Sequence, residues 1–396
     1  MRIARVLTRL NLGGPARQAL ASDPWLAARG HELRLFAGKS EPGEGDLTAA
    51  LRARGLDVVR IPGLRRSPSP GDLVALWRLG RELAAFAPDV LHTHASKAGV
   101  LGRRAARGRA LRSTARVHTF HGHVLEGYYP PVLSERMVAL ERRLARETDR
   151  IVAVSHATAD DLVRLGVVGE EKLVVIQPGV ELEPLLAIER GGTPRGGEEL
   201  RRSLGVGPED FLVGVLGRLA EVKQPLRALE VFGLLEQRFP RLQLVFVGDG
   251  ALRRALERAI GALGEAGARR VHLIGAREDV AAVLAALDAL LQCSRTEGLP
   301  VALIEAGAAA LPAVAADVGG VSEVVVHERT GWLGKSTEEL AFGLARLLES
   351  PREAQALGQR ARLRVAHAHG AATLGARLEE LYSLVHDERV RAGGGA

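Results

Sequence analysis

The stretch RTEGLPVALIEAG, residues 295–307, sets two carboxylates, Glu297 and Glu305, eight positions apart in a mostly apolar run. An unpaired carboxylate is costly in a core. The two glutamates are therefore either solvated edges of a core helix or partners of a ligand that needs carboxylates. Gly298 and Pro300 put Glu297 in a loop, and Pro300 suits the first turn of a helix. That helix, VALIEAGAA, carries Glu305 in its second turn. A carboxylate accepting from two adjacent hydroxyls is a common way to hold a ribose. Unpaired amides after Glu297 would meet anionic or hydroxyl oxygens. The pattern asks for a polyhydroxylated, phosphorylated ligand.

Cations stand where such a ligand would need them. VGVLGRLAEVKQ, 213–224, places Arg218 just beyond a strand and Lys223 near the start of a helix, in a chain with very few lysines. Arginine offers bidentate donors and lysine a point charge, so the pair could clamp a diphosphate. As isolated charges they would be surface residues. NLGGPARQ sets Gly13 and Gly14 between a strand and a helix, where amides can approach an anion; an ordinary strand–helix turn reads the same way. Five histidines fall within 92–123, as HTH and HTFHGH. A spacing of two puts His92 and His94 on one strand face, and His121 with His123 if extension persists. No acidic orienters accompany them, which argues against zinc; facing hydroxyls or phosphates is the functional reading, and a structural role for most is the other.

Several chemistries are excluded. GKS occurs at 38–40 and 334–336, but the positions that a P-loop fills with glycine hold Leu33 and Arg329. No G-x-G-x-x-G follows the first strand, and the GDG at 248–250 is not continued by a third glycine. There is no G-x-S-x-G elbow and no D-x-D metal clamp. One cysteine, Cys293, allows neither an internal disulfide nor a cysteine-based metal site. No apolar stretch approaches the roughly 18–20 residues that span a bilayer, and a cytoplasmic location is the default expectation, with the inner face of the cell membrane as a variant. The net charge of +7 comes almost entirely from arginine and reads as compositional, not as a nucleic-acid signal. One cluster, RRAARGRALRSTAR from Arg103 to Arg116, could contact phosphates of lipid, nucleotide or nucleic acid, an anionic membrane being favoured because no aromatic residues interleave for nucleic acid; otherwise it is a solvated helix and loop.

These groups need elements to hold them. With 396 residues, 46% of them hydrophobic, the chain suggests two or three soluble domains. Strand-like runs alternate with amphipathic stretches from end to end: IARVLT, ELRLFAG, DVVRIPG, DVLHTH, RVHTFHG, RIVAVS and KLVVIQPG, then FLVGVLG, LQLVFVG, VHLIG, ALLQC and AVAAD. LVALWRLGRELAAFA at 73–87 and MVALERRLARE at 137–147 are helical between them. Such alternation predicts parallel α/β architecture. A Gly-, Pro- and charge-rich segment near 180–200 divides the chain into domains 1–182 and 183–372, with a helix about 373–390 and a disordered tail over 391–396. Ligands of two doubly wound sheets would bind in the cleft at the carboxyl ends of their strands.

Together the motifs resemble the GT-B-fold retaining glycosyltransferases of family 4, from the glycine pair to about residue 375. E-x7-E is the most specific element, and GRLAEVK, VFVGDG, HTHASKAGVLGR, VHTFHGH and IVAVSHATADDL follow the family's order. The resemblance implies two Rossmann-like domains and transfer of a hexosyl group from a nucleoside-diphosphate sugar, UDP before GDP, to a hydroxyl acceptor. It implies no metal and no other cofactor. Glu305 would hold the ribose. Glu297, with the backbone of Gly298, Leu299, Pro300 and Val301, would face the transferred sugar and β-phosphate. Arg218 and Lys223 would stabilise the departing diphosphate, Gly14 would offer its amide, His121 would lie beside the sugar and Arg277 would contact the base. LEELYSLVHDERV would cross back to the first domain. Two departures stand out: the short GGPARQALASDPWLAARGHE, and Ala310 where the family has glycine before Leu311. A sugar-nucleotide 2-epimerase of the same fold and a non-catalytic membrane scaffold are the alternatives.

Overall fold

The computed structural model describes residues 1–11, 14–41, 45–122, 125–126, 130–189 and 195–393. It divides into two compact units, one made of residues Met1–Val180 with the segment from Ala371 onward, the other of Glu181–Gly370. Each is a parallel sheet whose strands are mostly buried, as expected where helices cover both faces.

The first unit contains β1 (Arg2–Arg9), β2 (Glu32–Gly38), β3 (Asp57–Arg60), β4 (Val90–His94), β5 (Ala115–Phe120), β6 (Arg150–Ala153) and β7 (Leu173–Val175). Their spatial order is β3-β2-β1-β4-β5-β6-β7, all parallel. The final helix, Ala371–Gly393, belongs to this unit. Its Leu374, Leu378, Leu381, Tyr382 and Val385 enter the same core as Ile3, Leu7 and Val90. A Cβ on Gly375 would come within 2.4 Å of the Trp25 ring, so glycine is what lets this helix lie against the helix Gly14–Ala28. The helix runs to Gly393, past the point where a disordered tail was expected, because Arg391 and Ala392 are good helix formers that extend it. Residues 394–396 lie outside the described residues.

The second unit contains β8 (Phe211–Leu216), β9 (Leu242–Val247), β10 (Val271–Leu273), β11 (Ala289–Gln292), β12 (Ala313–Ala316) and β13 (Gly331–Gly334), in the order β10-β9-β8-β11-β12-β13. The order reverses direction between β8 and β11, and in open parallel sheets that is where ligands settle, beyond the carboxyl ends of the strands. β13, GWLG, escaped the sequence reading: four residues flanked by glycines carry no strand pattern. Among the described residues no helix is long and apolar enough to cross a membrane.

Candidate active site

Three loops meet beyond the carboxyl ends of β8, β11 and β12. After β8 the chain passes Gly217 (φ 143°) and the exposed Arg218 into a short 3-10 turn, Glu221–Lys223, before the helix Pro225–Leu235. The turn Gly248–Gly250 presses on this loop: a Cβ at Gly248 would sit 1.9 Å from the Gly217 carbonyl oxygen, and one at Gly250 would sit 2.4 Å from that of Leu219. The GDG that failed as a dinucleotide fingerprint thus has another use, allowing two backbones to touch.

The Lys223 stem passes over Gly217, and its Nζ donates to Glu297 Oε1 at 2.5 Å. The same oxygen accepts from Ser294 Oγ at 2.6 Å and Gln292 Nε2 at 3.0 Å. One carboxylate oxygen is thereby saturated by three donors, one of them cationic. The backbone reinforces the junction, with the Arg295 amide donating to the Val222 carbonyl at 2.8 Å. From the third loop, the Gly320 amide donates to the Glu297 carbonyl at 3.3 Å. Gly319 (φ 52°) lies so close that a Cβ there would be 2.0 Å from that same carbonyl oxygen. Glu297 is therefore held from three sides. Gln292, Ser294 and Gly319 went unnoticed in the sequence, although two of them lie within five positions of Glu297.

Gly298, Leu299 and Pro300 are buried. Pro300 is the N-cap of the helix Val301–Ala308, one position before the first turn that its sequence context suggested. It has no N–H to offer a ligand, whereas Val301 begins the turn whose amides lack intrahelical partners. Glu305 sits in the second turn, 8% exposed in an otherwise apolar helix. The helix packs on Pro351–Ala368, where a Cβ on Gly307 would meet the Val365 side chain at 2.7 Å. Ala310, the departure from the family pattern, adopts φ 51° just past the helix end, a left-handed conformation in which an alanine is strained. Arg277, beyond β10, forms a two-pronged pair with Asp279 at 2.8 and 2.5 Å on a partly exposed surface.

In the first unit Gly14 opens the helix Gly14–Ala28, while Gly13 and His123 lie outside the described residues. β5 ends at Phe120, so the extension that would have paired His121 with His123 stops one residue short of His121. His92 and His94 do share a face of β4, with ring centroids 4.1 Å apart, and His94 Nδ1 meets His121 Nε2 at 3.0 Å. Burial drives all three imidazoles down from their usual range, helped by the Arg5 guanidinium; His121 falls to about 3. Arg5 is itself buried against Asp23 at 3.0 Å, and burial raises that carboxyl to about 6. On the opposite side Thr93 Oγ1 meets His118 Nδ1 at 2.9 Å. Gly99 leaves room for the His118 ring, to which a Cβ would come within 2.4 Å. The glycines of HTHASKAGVLGR are therefore packing residues.

The arginine cluster proves heterogeneous. Arg103 is buried and donates to Glu141 at 2.6 Å, Arg107 pairs with Glu147, and half-buried Arg116 donates to the Ala106 carbonyl. Buried Arg103 and half-buried Arg116 serve the fold, because burying a guanidinium requires a carboxylate or carbonyl partner; Arg107 makes its pair at the surface. Arg104, Arg109 and Arg112 are exposed.

The family model for glycosyl transferases group 1 matches residues 197–364, and that for Glycosyltransferase Family 4 matches residues 12–184. The UDP-Gal:alpha-D-GlcNAc-diphosphoundecaprenol alpha-1,3-galactosyltransferase of Escherichia coli is 29% identical over 337 residues, 84% of either chain. A D-inositol 3-phosphate glycosyltransferase of Actinosynnema mirum is 30% identical over 369 residues, 87% of this chain and 85% of the relative. Among solved structures, Anabaena Alr3699/HepE in complex with UDP and glucose shares the fold at a TM-score of 0.79 and 22% identity, over 97% of this chain and 99% of that one. Sucrose-phosphate synthase from Thermosynechococcus elongatus does so at 0.81 and 20%, over 98% and 100%.

Proposed function

The chain belongs to the glycosyl transferases group 1, with the GT-B fold, and for this glycosyltransferase we propose retaining transfer of a hexosyl group from a UDP-sugar to a hydroxyl acceptor. The observation that carries the donor site is the junction at the β8/β11 reversal, where Lys223 and the loops after β8 and β12 fix Glu297 just ahead of the helix Val301–Ala308 that carries the buried Glu305. Glu305 takes the ribose hydroxyls. Lys223 and Arg218 receive the charge that develops on the diphosphate as the anomeric C–O bond breaks, the kind of stabilisation that contributes most when the donors are already in place. The amides of Gly298, Leu299 and Val301 meet the β-phosphate, and Arg277 turns to the base. Gly14 and His121 act on the phosphate and the transferred sugar.

Glu297 makes a poor nucleophile, since three donors already hold one of its oxygens. Its saturation favours a same-face displacement. The leaving diphosphate takes the bonding pair, the acceptor oxygen bonds to the anomeric carbon, and its proton passes to the departing phosphate. No metal has a part in this scheme. UDP is preferred because the Escherichia coli relative is named for UDP-Gal and HepE was solved with UDP. Turnover of UDP-hexoses in EDTA, with the product anomer read by NMR, tests it. An α-linked product from an α-donor is expected; inversion, a metal requirement or equal UDP release without acceptor would contradict it.

A membrane-borne acceptor, as in surface polysaccharide or glycolipid synthesis, is the second part of the reading. On the helix Gly71–Phe86 the side chains of Leu73, Val74 and Trp77 are exposed by 75%, 50% and 60%. The Arg78 and Arg81 guanidinium carbons lie 5.9 and 5.4 Å from the Trp77 ring centroid. A shallow groove lined by Trp77, Arg81, Arg104 and Leu111 joins this face to the exposed part of the arginine cluster. Apolar side chains ringed by arginines suit an anionic bilayer surface. Sedimentation with phosphatidylglycerol vesicles is expected to weaken in a Trp77→Asp, Arg104→Glu, Arg109→Glu, Arg112→Glu variant; unchanged sedimentation removes this part.

A further inference from the structure

Three imidazoles of the first unit stand together but are not equally complete. His92 has both ring nitrogens engaged, Nδ1 with the Tyr382 hydroxyl and Nε2 with Thr119 Oγ1, each at 2.6 Å. Tyr382 comes from the final helix, so His92 is fixed from two sides. His94, stacked against it, has the His121 contact as its only ring hydrogen bond among the described residues. The outer nitrogens of this second pair, His94 Nε2 and His121 Nδ1, are buried and have no hydrogen-bond partner among the described residues. His92 is a finished structural group; the His94–His121 pair is one bond short at either end.

The pair's protonation follows from its surroundings. Arg5 on β1 faces it, with Asp23 of the helix Gly14–Ala28 paired to Arg5; His92 lies on β4 with His94, His118 lies on the adjacent β5, and Tyr382 closes the side toward the final helix. Both rings are held neutral. Two neutral rings sharing one contact hold one proton between Nδ1 of His94 and Nε2 of His121. If that proton is His94's, its Nε2 is bare and His121 carries its own on Nδ1. If it is His121's, the outer roles exchange. Either way the pair presents one donor and one acceptor, and the ring of His121 cannot flip without losing its one hydrogen bond among the described residues.

We propose that His94 is a positioning residue for the transfer reaction: through its Nδ1 it orients the His121 ring and ties its tautomer, so that His121 Nδ1 meets a hydroxyl of the transferred sugar with a defined role. This rests on the part assigned to His121 above. The buried His92, clamped by Tyr382 and Thr119, is the floor that keeps His94 in place.

Two polar variants test it without emptying the core. His94→Asn puts an amide where Nδ1 stood, and His94→Gln puts one where Nε2 stood. The Asn variant is expected to lose the less, while the Gln variant loses roughly 5- to 150-fold in kcat, the range for leaving one buried partner unpaired. UDP affinity by calorimetry should be unchanged in both. In 15N NMR the His121 ring, a single tautomer in the parent, should become a mixture in His94→Gln only. Equal kcat in the two variants, or an unaltered His121 spectrum in both, overturns the proposal. His121→Ala separates the levels: if it retains full transfer, the role of His121 falls and that of His94 with it; if it abolishes transfer while His94→Gln does not impair it, only His94 is refuted.

Discussion

The Glu297 loop of the second unit and the histidine row of the first are both polar clusters inside apolar sheets, and they are built in opposite ways. Glu297 is partnered within its own stretch of chain, by Gln292 and Ser294, and by one turn after β8. The histidine row gathers β1, β4, β5 and a helix almost three hundred positions away. The first keeps a charge by saturating it. The second keeps its histidines neutral: burial lowers all four imidazoles, with Arg5 adding to it at His92, His94 and His121 and Arg103 at His118. The roles proposed for them, a diphosphate site and a site for neutral hydroxyls, would call for that division.

Acid should separate the two regions most. A histidine depressed in the fold is protonated preferentially in the unfolded chain below its ordinary pKa, so its stabilising effect is present above pH 6.5 and is lost as pH falls. Each of the four is linked to at most about 1.4 kcal/mol per pH unit. Asp23, raised to about 6, has the opposite sign, because between 3.8 and 6 the folded state binds its proton more tightly. Four groups against one leave a net loss on acidification. Hydrogen exchange at pH 7 and 5.5, corrected for intrinsic rates, should show protection falling more in β4 and β5 than in β8 and β11, neither of which carries a histidine. Equal losses would break the contrast.

Next in size, Lys223→Ala should lower kcat by about 10²–10³-fold, the usual cost of removing one preorganised donor, with circular dichroism unchanged. A loss below tenfold would mean that Lys223 only neutralises Glu297. Gly319→Ala should weaken UDP binding about tenfold by forcing the Glu297 backbone away from its new Cβ, a strain of roughly 1–3 kcal/mol. Unaltered calorimetry would show that the loop has room to move. Smallest, Ala310→Gly should raise stability by about 1 kcal/mol, because glycine adopts φ 51° without strain. A lower urea midpoint would contradict this.

The contrast also explains what was legible. Twelve strand-like runs stood out because buried parallel strands are continuous aliphatic stretches; GWLG did not, having two glycines in four residues. The loop of Glu297, the helix of Glu305 and the turn of Lys223 beyond β8 could be placed because loop–helix junctions are written in short spacings. The shared face of His92 and His94 followed from the two-residue repeat of a strand. His121's partner, the Arg5–Asp23 pair and Tyr382 did not, since strand order and the return of the final helix set those contacts. Nor did the arginine cluster reveal that Arg103 lies inside against Glu141: both residues look like surface charges until the helix Ser96–Ala105 meets the helix Pro131–Arg146.

Metal-free calorimetry with UDP, on the parent, Glu305→Gln and His94→Gln, tests the division most directly. The account predicts binding by the parent, loss of at least tenfold in Glu305→Gln, and parent affinity in His94→Gln. Equal UDP affinity in the parent and Glu305→Gln, or no binding by the parent at all, would contradict the assignment of the nucleotide to the Glu297–Glu305 region.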